Sequence, residues 1–261
     1  MERLDVLHIV ADLGNTRLKW GRLGAGGRLE ETVSLPVDDP STWDRAWSRW
    51  DPSGDAAATW AVASVNPPVA ERLATFLADR PTGRTRVFWY RSAVDVPVRH
   101  GLERLESAGA DRALAVSAAV NEHPRGRPGM VVLCGTAVTV ERVTPDGIWQ
   151  GGAIAAGLNL TARALHMLTA QLPLVEPREA PPAWGNATLP ALEAGIFWGV
   201  VGAVRELLTR QAVGLDGAPW VVWTGGDAEP LARAVNWPDA RVVPDLVLRG
   251  LAGLSPGATG G

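Results

Sequence analysis

Two stretches of this chain repeat one pattern: a run of aliphatic residues, a glycine turn, then a second run in which apolar and polar residues alternate. The first is "VLHIVADLGNTRLKW", residues 6–20, and the second is "MVVLCGTAVTVERV", residues 130–143. Such runs, bounded by Gly, Asn and Asp, read as strands joined by turns. Residues 6–11 and 17–23 are therefore expected to pair as an antiparallel hairpin through "DLGNT". Superposing Gly14 on Gly135 aligns Leu13 with Cys134, Asn15 with Thr136 and Thr16 with Ala137. Two similar hairpins, each opening roughly half the chain, predict a duplicated α/β fold. Its two lobes would face each other across a cleft, a usual place for a small ligand.

Composition narrows the partners. At 261 residues with 46% hydrophobic side chains, the chain can build two cores. Its 25 basic and 28 acidic residues leave a net charge of −3, with no basic patch to attract nucleic acid or an anionic membrane. The one cysteine, Cys134, cannot form an internal disulfide, and His8, His100, His123 and His166 show no metal-ligand spacing. The start "MERLDVLHIVADLG" lacks a signal-peptide core, and the longest apolar run, "GIFWGVVGAV", is too short to span a bilayer. A cytoplasmic protein is expected.

Between the hairpins, "STWDRAWSRW" places Trp43, Trp47 and Trp50 at helical spacing behind Ser41, a candidate cap, and the indoles are read as packing. "AAATWAVASV" reads as a strand and "DRALAVSAAVNEH" as a helix. Later, "TARALHMLTAQL" and "ALEAGIFWGVVGAVRELLTRQAV" read as helices separated by a proline-rich connection, and "PWVVWTGGDAEPL" as strand, glycine turn and helix. The expected lobes are 1–122 and 128–254, with a disordered tail at 255–261.

The turn at 12–19 has two readings. Gly, Asn and Asp tolerate tight turns anywhere. A glycine-containing strand–turn–strand also places backbone N–H groups and a lysine around a phosphate, with an aspartate facing its magnesium. Taken alone, Lys19 reads equally as a solvated strand lysine, Asp111 as an acid favouring a helix dipole, and Arg112 as the partner of a surface acid such as Glu106.

Six motifs weight these readings: "DLGNTRLKW", "GADRALA", "CGTAVTV", "GGAIAAGLNLTARAL…TAQLPLV", "LEAGIFWG" and "TGGDAEPL". In this order and spacing the chain resembles the type III pantothenate kinases, including the Bvg accessory factor-like proteins, of the acetate and sugar kinase, Hsp70 and actin superfamily. The resemblance implies two ribonuclease H-like lobes in an actin-like ATPase fold with a nucleotide cleft between them. It implies transfer of the ATP γ-phosphoryl group to pantothenate, the first step of coenzyme A synthesis, by a homodimer whose substrate pocket a neighbouring subunit completes. Under it, Asp12, Leu13, Gly14, Asn15, Thr16, Arg17, Leu18 and Lys19 form the ATP-phosphate element, with Asp12 toward Mg2+, and Thr136 touches phosphate. Asp111 is the catalytic base. Gly109, Ala110, Asp111 and Arg112 match the pantothenate-binding stretch, joined by Thr188 and by Leu102.

Four positions depart from the family's pattern. Relatives carry an aspartate two residues before the second turn glycine, where it helps bind K+ or NH4+; this chain has Leu133, which supplies no oxygen ligand. Where relatives have asparagine-glycine-tyrosine, this chain has His100, Gly101 and Leu102, and Ala156 replaces a frequent proline. These changes keep two alternatives open beside the kinase: a nucleotide-binding or regulatory homologue that lost turnover, and a kinase for another small hydroxylated acid or amide.

Overall fold

The computed structural model describes residues 6–54, 56–80, 85–123 and 125–255. Two five-stranded sheets follow one plan. In the first, β1 (Val6–Leu13) pairs antiparallel with β2 (Arg17–Leu23), which pairs antiparallel with β3 (Leu29–Pro36). On the other side of β1, β4 (Ala57–Ser64) and then β5 (Thr85–Tyr90) run parallel, so the order is β3-β2-β1-β4-β5. The second sheet is built from β6 (Gly129–Cys134), β7 (Ala137–Val143), β8 (Trp149–Ala156), β9 (Trp220–Thr224) and β10 (Ala240–Val242). Its order, β8-β7-β6-β9-β10, is the same with each strand five places later. The repeat legible in the two hairpins thus extends to whole sheets.

The hairpins differ in one residue. Leu13 pairs with Leu18 at the first turn, whereas Cys134 pairs with Val138 at the second. Gly14 donates its N–H to the carbonyl of Arg17 (3.1 Å), and Gly135 donates to that of Ala137 (3.0 Å). Ala137 therefore corresponds to Arg17, not to Thr16, and the second turn is one residue shorter.

In the first unit, alternation along β1 sends Ile9, Ala11 and Leu13 into a core closed by α1 (Pro40–Trp50) and α2 (Pro67–Ala78). The indoles of α1 are packing, as expected: Trp43, Trp47 and Trp50 are buried with Trp20 and Trp60. The cap of α1 is Asp39, not Ser41. The Asp39 carboxylate accepts from the Ser41 N–H at 3.1 Å and its hydroxyl at 2.6 Å, and Pro40 occupies the first turn, where its missing N–H costs nothing.

In the second unit, Val132, Cys134, Val138 and Val140 line a separate core against α4 (Leu158–Met167), α5 (Thr188–Ala212) and α6 (Ala228–Val235). The helix expected over 161–172 starts and ends earlier, because Gly157 begins it and the chain turns after Met167, where the His166 ring meets the Leu172 carbonyl at 2.8 Å.

The chain divides differently from the expected boundaries. One unit takes the chain up to Val98 with Glu103–Ala118 and everything from Leu246, and the other takes Arg99–Leu102 and Ala119–Asp245. The division falls inside α3 (Ala110–Glu122), and α7 (Leu246–Leu254) packs on β1, β2 and β4 of the first sheet. Gly250 makes that packing close, since a Cβ there would lie 2.6 Å from the Leu114 carbonyl. Ser255, placed at the start of the expected tail, is buried; residues 256–261 lie outside the described residues.

Trp20 is the hub of the first core, with ring centroids 5.1 Å from Trp60, 5.8 Å from Phe76, 6.3 Å from Trp43 and 6.4 Å from Trp50. Its buried indole nitrogen has no hydrogen-bond partner among the described residues. Trp20→Ala is expected to lower stability by about 3–5 kcal/mol. Trp20→Phe should lose much less, because removing the indole also removes an unsatisfied buried N–H whose desolvation costs about 1–3 kcal/mol. Urea unfolding followed by circular dichroism measures both; equal losses would contradict this account.

Candidate active site

In the first unit the polar residues gather where β1 and β4 end. From Ile9 to Ala11 β1 is apolar; Asp12 follows, directly opposite Lys19 of β2 and beside Ala63 of β4. Directly opposed residues point to one face of the sheet, so a half-buried carboxylate and a half-buried ammonium share a face one residue before the turn. At the turn, a Cβ on Gly14 would lie 2.9 Å from the Arg17 carbonyl, so glycine is needed for the closure. Asn15, Thr16 and Arg17 are exposed around it, while Leu13 and Leu18 are buried below and anchor the turn from the core. Of the residues expected to form the phosphate element, these two turn their side chains inward.

The start of α3 belongs to the same unit. Gly109 precedes it, and a Cβ there would lie 2.3 Å from Asp111 Oδ1 and 3.1 Å from the Val65 side chain, just past the end of β4. Asp111 is thereby placed close to the strand end that also carries the Val65 N–H to the Leu13 carbonyl (3.4 Å). Asp111 Oδ1 accepts from the Arg112 N–H at 2.9 Å. Ala110 is buried and Arg112 half-buried. Asp12, Lys19, Asp111 and Arg112, scattered over 101 positions of sequence, thus belong to one unit. Sequence reasoning missed Asn66, which caps α2 and reaches the Gly14–Asn15 turn; the signal was present, since Asn before a pair of prolines is a helix-start pattern.

In the second unit, backbone closes on backbone. Gly225 has φ +105°, and a Cβ there would lie 2.2 Å from the Cys134 carbonyl. Gly157 donates to the Thr136 carbonyl at 3.0 Å, and a Cβ on it would lie 2.2 Å from the Gly135 carbonyl. The turn carrying half-buried Thr136 is held by the "TGG" loop on one side and the start of α4 on the other. Asp227 donates its N–H to the Cys134 carbonyl (3.2 Å), and burial pushes its carboxyl above the usual range. Burial also pushes the Cys134 thiol far up, so it is a packing residue and not a nucleophile.

Leu133 faces Thr139 on β7 and Thr224 on β9, all on one side of the sheet. The Thr139 hydroxyl is buried with no partner among the described residues. Glu141, on the same face and two residues along, is fully buried, and its Oε2 accepts from the Trp149 indole at 2.9 Å. A potassium-sized cation at Leu133 would find neutral hydroxyls and no carboxylate of that residue, so this donor set does not fit the usual site. Leu102 packs against β8, where a Cβ on Gly151 would lie 2.9 Å from its Cδ2, and neighbouring His100 forms a bridge to Trp149. Thr188 is the exposed first residue of α5.

Two sheets of one topology, each with a glycine turn leading out of its central strand, define the two-lobed actin-like ATPase fold that acetate and sugar kinases share. A family model, type III pantothenate kinase, matches residues 8–210, and the chain belongs to that family. It is 41% identical over 161 residues to a type III pantothenate kinase of Paramagnetospirillum magneticum, a match spanning 60% of each chain. With the enzyme of that name from Synechococcus elongatus it shares 32% over 247 residues, covering 93% of this chain and 94% of the relative. Among solved structures it is similar to a Baf family protein from Campylobacter jejuni, described as a transcriptional activator, with a TM-score of 0.58, 18% identity, and coverage of 94% and 96%.

Proposed function

We propose that this chain uses ATP to phosphorylate pantothenate on its primary hydroxyl, forming 4'-phosphopantothenate at the start of coenzyme A synthesis. The observation that carries the reading is the family match over residues 8–210, which takes in both Asp12 and Asp111. Phosphoryl transfer asks a protein for positioning and charge neutralisation more than for covalent help. In this reading the N–H groups and side chains of Gly14, Asn15, Thr16 and Arg17, with Lys19, hold the ATP phosphates. Asp111 accepts the proton of the pantothenate hydroxyl as its oxygen bonds to the γ-phosphorus and the bond to the β-phosphate oxygen breaks, releasing ADP. Arg112 offers a guanidinium to the pantothenate carboxylate, with Gly109 and Ala110 shaping the backbone beside it. Asp12 suits magnesium, which is commonly held by one or two carboxylates together with substrate phosphates. When bound, the ion neutralises charge on the β- and γ-oxygens. A cytoplasmic setting agrees with a lone buried thiol.

Purified protein incubated with ATP, magnesium and pantothenate should form phosphopantothenate. Turnover only on a different hydroxylated acid or amide would move the reading to that substrate, and nucleotide binding without turnover would make the chain a binding homologue. Asp111→Asn should retain the fold and ATP affinity and lower kcat by about 10²- to 10⁴-fold. A variant keeping more than about a tenth of wild-type kcat would remove Asp111 from the base role.

The Leu133 environment predicts little activation by K+ or NH4+. Rates compared in potassium and sodium at constant ionic strength, so that screening is equal, should agree within about twofold. Strong potassium activation that Leu133→Asp leaves unchanged would show a site built from other ligands.

The homodimer is proposed on α5. Gly195, Gly199 and Gly202 lie on its exposed face, and a Cβ on any of them would meet nothing within 4 Å. Interior helix glycines cost about 0.8–1 kcal/mol each relative to alanine, and no described residue comes close enough to require these three. Close packing against a second copy of α5 accounts for them; the second unit also exposes Ile154, Met167, Leu168, Trp184 and Leu189. Gly199→Leu should turn the dimer into a monomer in sedimentation experiments while the helical circular dichroism of the folded chain is kept, since leucine is the better helix former. A dimer of undiminished affinity would place the interface elsewhere.

A further inference from the structure

The Asn66 side chain has two sets of partners. Its Oδ1 accepts from the Val69 N–H at 3.3 Å, as any helix cap would. Its Nδ2 donates to the Gly14 carbonyl at 3.4 Å and to Asn15 Oδ1 at 3.5 Å, across 52 and 51 positions of sequence. Capping needs only the oxygen. The amide nitrogen serves the turn.

Asn66 is itself well fixed. Ser64, the last residue of β4 and in register with Leu13, accepts from the Asn66 N–H through its hydroxyl at 3.2 Å and donates that hydroxyl to the Asn66 carbonyl at 3.1 Å. Pro67 follows, which restricts the Asn66 backbone to extended conformations, and its φ of −131° and ψ of 91° comply. The donor reaching the turn therefore stands on the junction of a buried strand and a helix.

A peptide unit is planar and trans, so its C=O and N–H point in opposite directions. Holding the Gly14 carbonyl toward Asn66 turns the N–H of Asn15, in the same peptide plane, away from α2 toward the open side of the turn. A released carbonyl could rotate that plane and aim its own negative end outward, where it would repel a phosphate. Glycine at position 14 makes such rotation easy, because the residue without a Cβ restricts neither dihedral.

We propose that Asn66 is a positioning residue for the nucleotide: it locks the Gly14–Asn15 peptide with the Asn15 N–H facing the ATP phosphates. This rests on the reading of the turn as the phosphate element. Asn66→Asp keeps a good cap and replaces the donor with an acceptor, while Asn66→Ser keeps a neutral cap too short to reach the turn. Both variants should raise KM for ATP by about 3- to 10-fold, the worth of one or two hydrogen bonds, with kcat within about twofold and Tm close to wild type. Hydrogen exchange of the segment 12–18, measured without nucleotide, should quicken in both. A drop in Tm with KM and exchange unchanged would reduce Asn66 to a cap and overturn the proposal, as would faster exchange with unchanged KM. If wild-type protein forms no phosphopantothenate, the kinase reading falls instead, and the exchange measurement still decides whether Asn66 holds the turn.

Discussion

Both central strands are covered on both faces, and this limits where chemistry can be placed. In β1, Ile9, Val10, Ala11 and Leu13 have no exposure, with the α1–α2 core on one side and α7 on the other. A charged group in the middle of such a strand would be desolvated at a cost of several kcal/mol. Polar residues can enter only at the end, where the sheet stops and the turn begins. Asp12 and Lys19 sit there, opposite each other, and β4 ends at the same level with Ser64 paired to Leu13. The buried strand thus rigidly carries a small polar rim, and a rigid support is what a site relying on orientation needs.

The second sheet obeys the same rule with different residues. Its central strand ends in Leu133 and Cys134 and itself brings no charged side chain to the rim, and close backbone approaches hold the turn. Gly225 and Gly157 permit carbonyl contacts that any Cβ would block. The shorter turn fits this difference: with one residue fewer, it presents less side chain and is more nearly all backbone. One topology therefore supports two kinds of rim, one carrying charge and one carrying amide groups.

What the sequence showed and what it hid divides by range. The hairpins, the tryptophan stripe of α1 and the long α5 were legible, because alternation and helical spacing are local patterns. The path of α7 was not. Its "LVLRGLAGL" states only that it is apolar, and whether it covers the first or second sheet depends on pairings about 200 residues away. The offset between the turns was hidden for a related reason, since aligned glycines cannot reveal which later carbonyl each will bond. Asp and Ser are both good caps at a helix start, and with Pro40 in the first turn the helix begins two residues earlier than a cap at Ser41 implied. At the candidate site, Asp111 and Arg112 were marked by the family resemblance and Asp12 by its glycine turn, whereas Asn66 reads as a cap until its second set of bonds is seen.

Apolar composition was the least decisive signal, and α5 shows why. "GIFWGVVGAV" contains residues that belong to a core, Ile196, Phe197, Val200, Val201 and Val204, interleaved with glycines that face outward. A helix apolar all round reads as buried on every side, yet here one side rests on the second core and the other exposes small residues without a neighbour. Glycine is a poor choice for a solvated helix face, where alanine would be more favourable, and a poor filler for a core, where it leaves space. It suits a surface that another backbone approaches closely. The same logic governs Gly14, Gly157 and Gly225 inside the chain, where the approaching backbone is visible, and the proposed α5 homodimer extends it to the outward glycines of that helix.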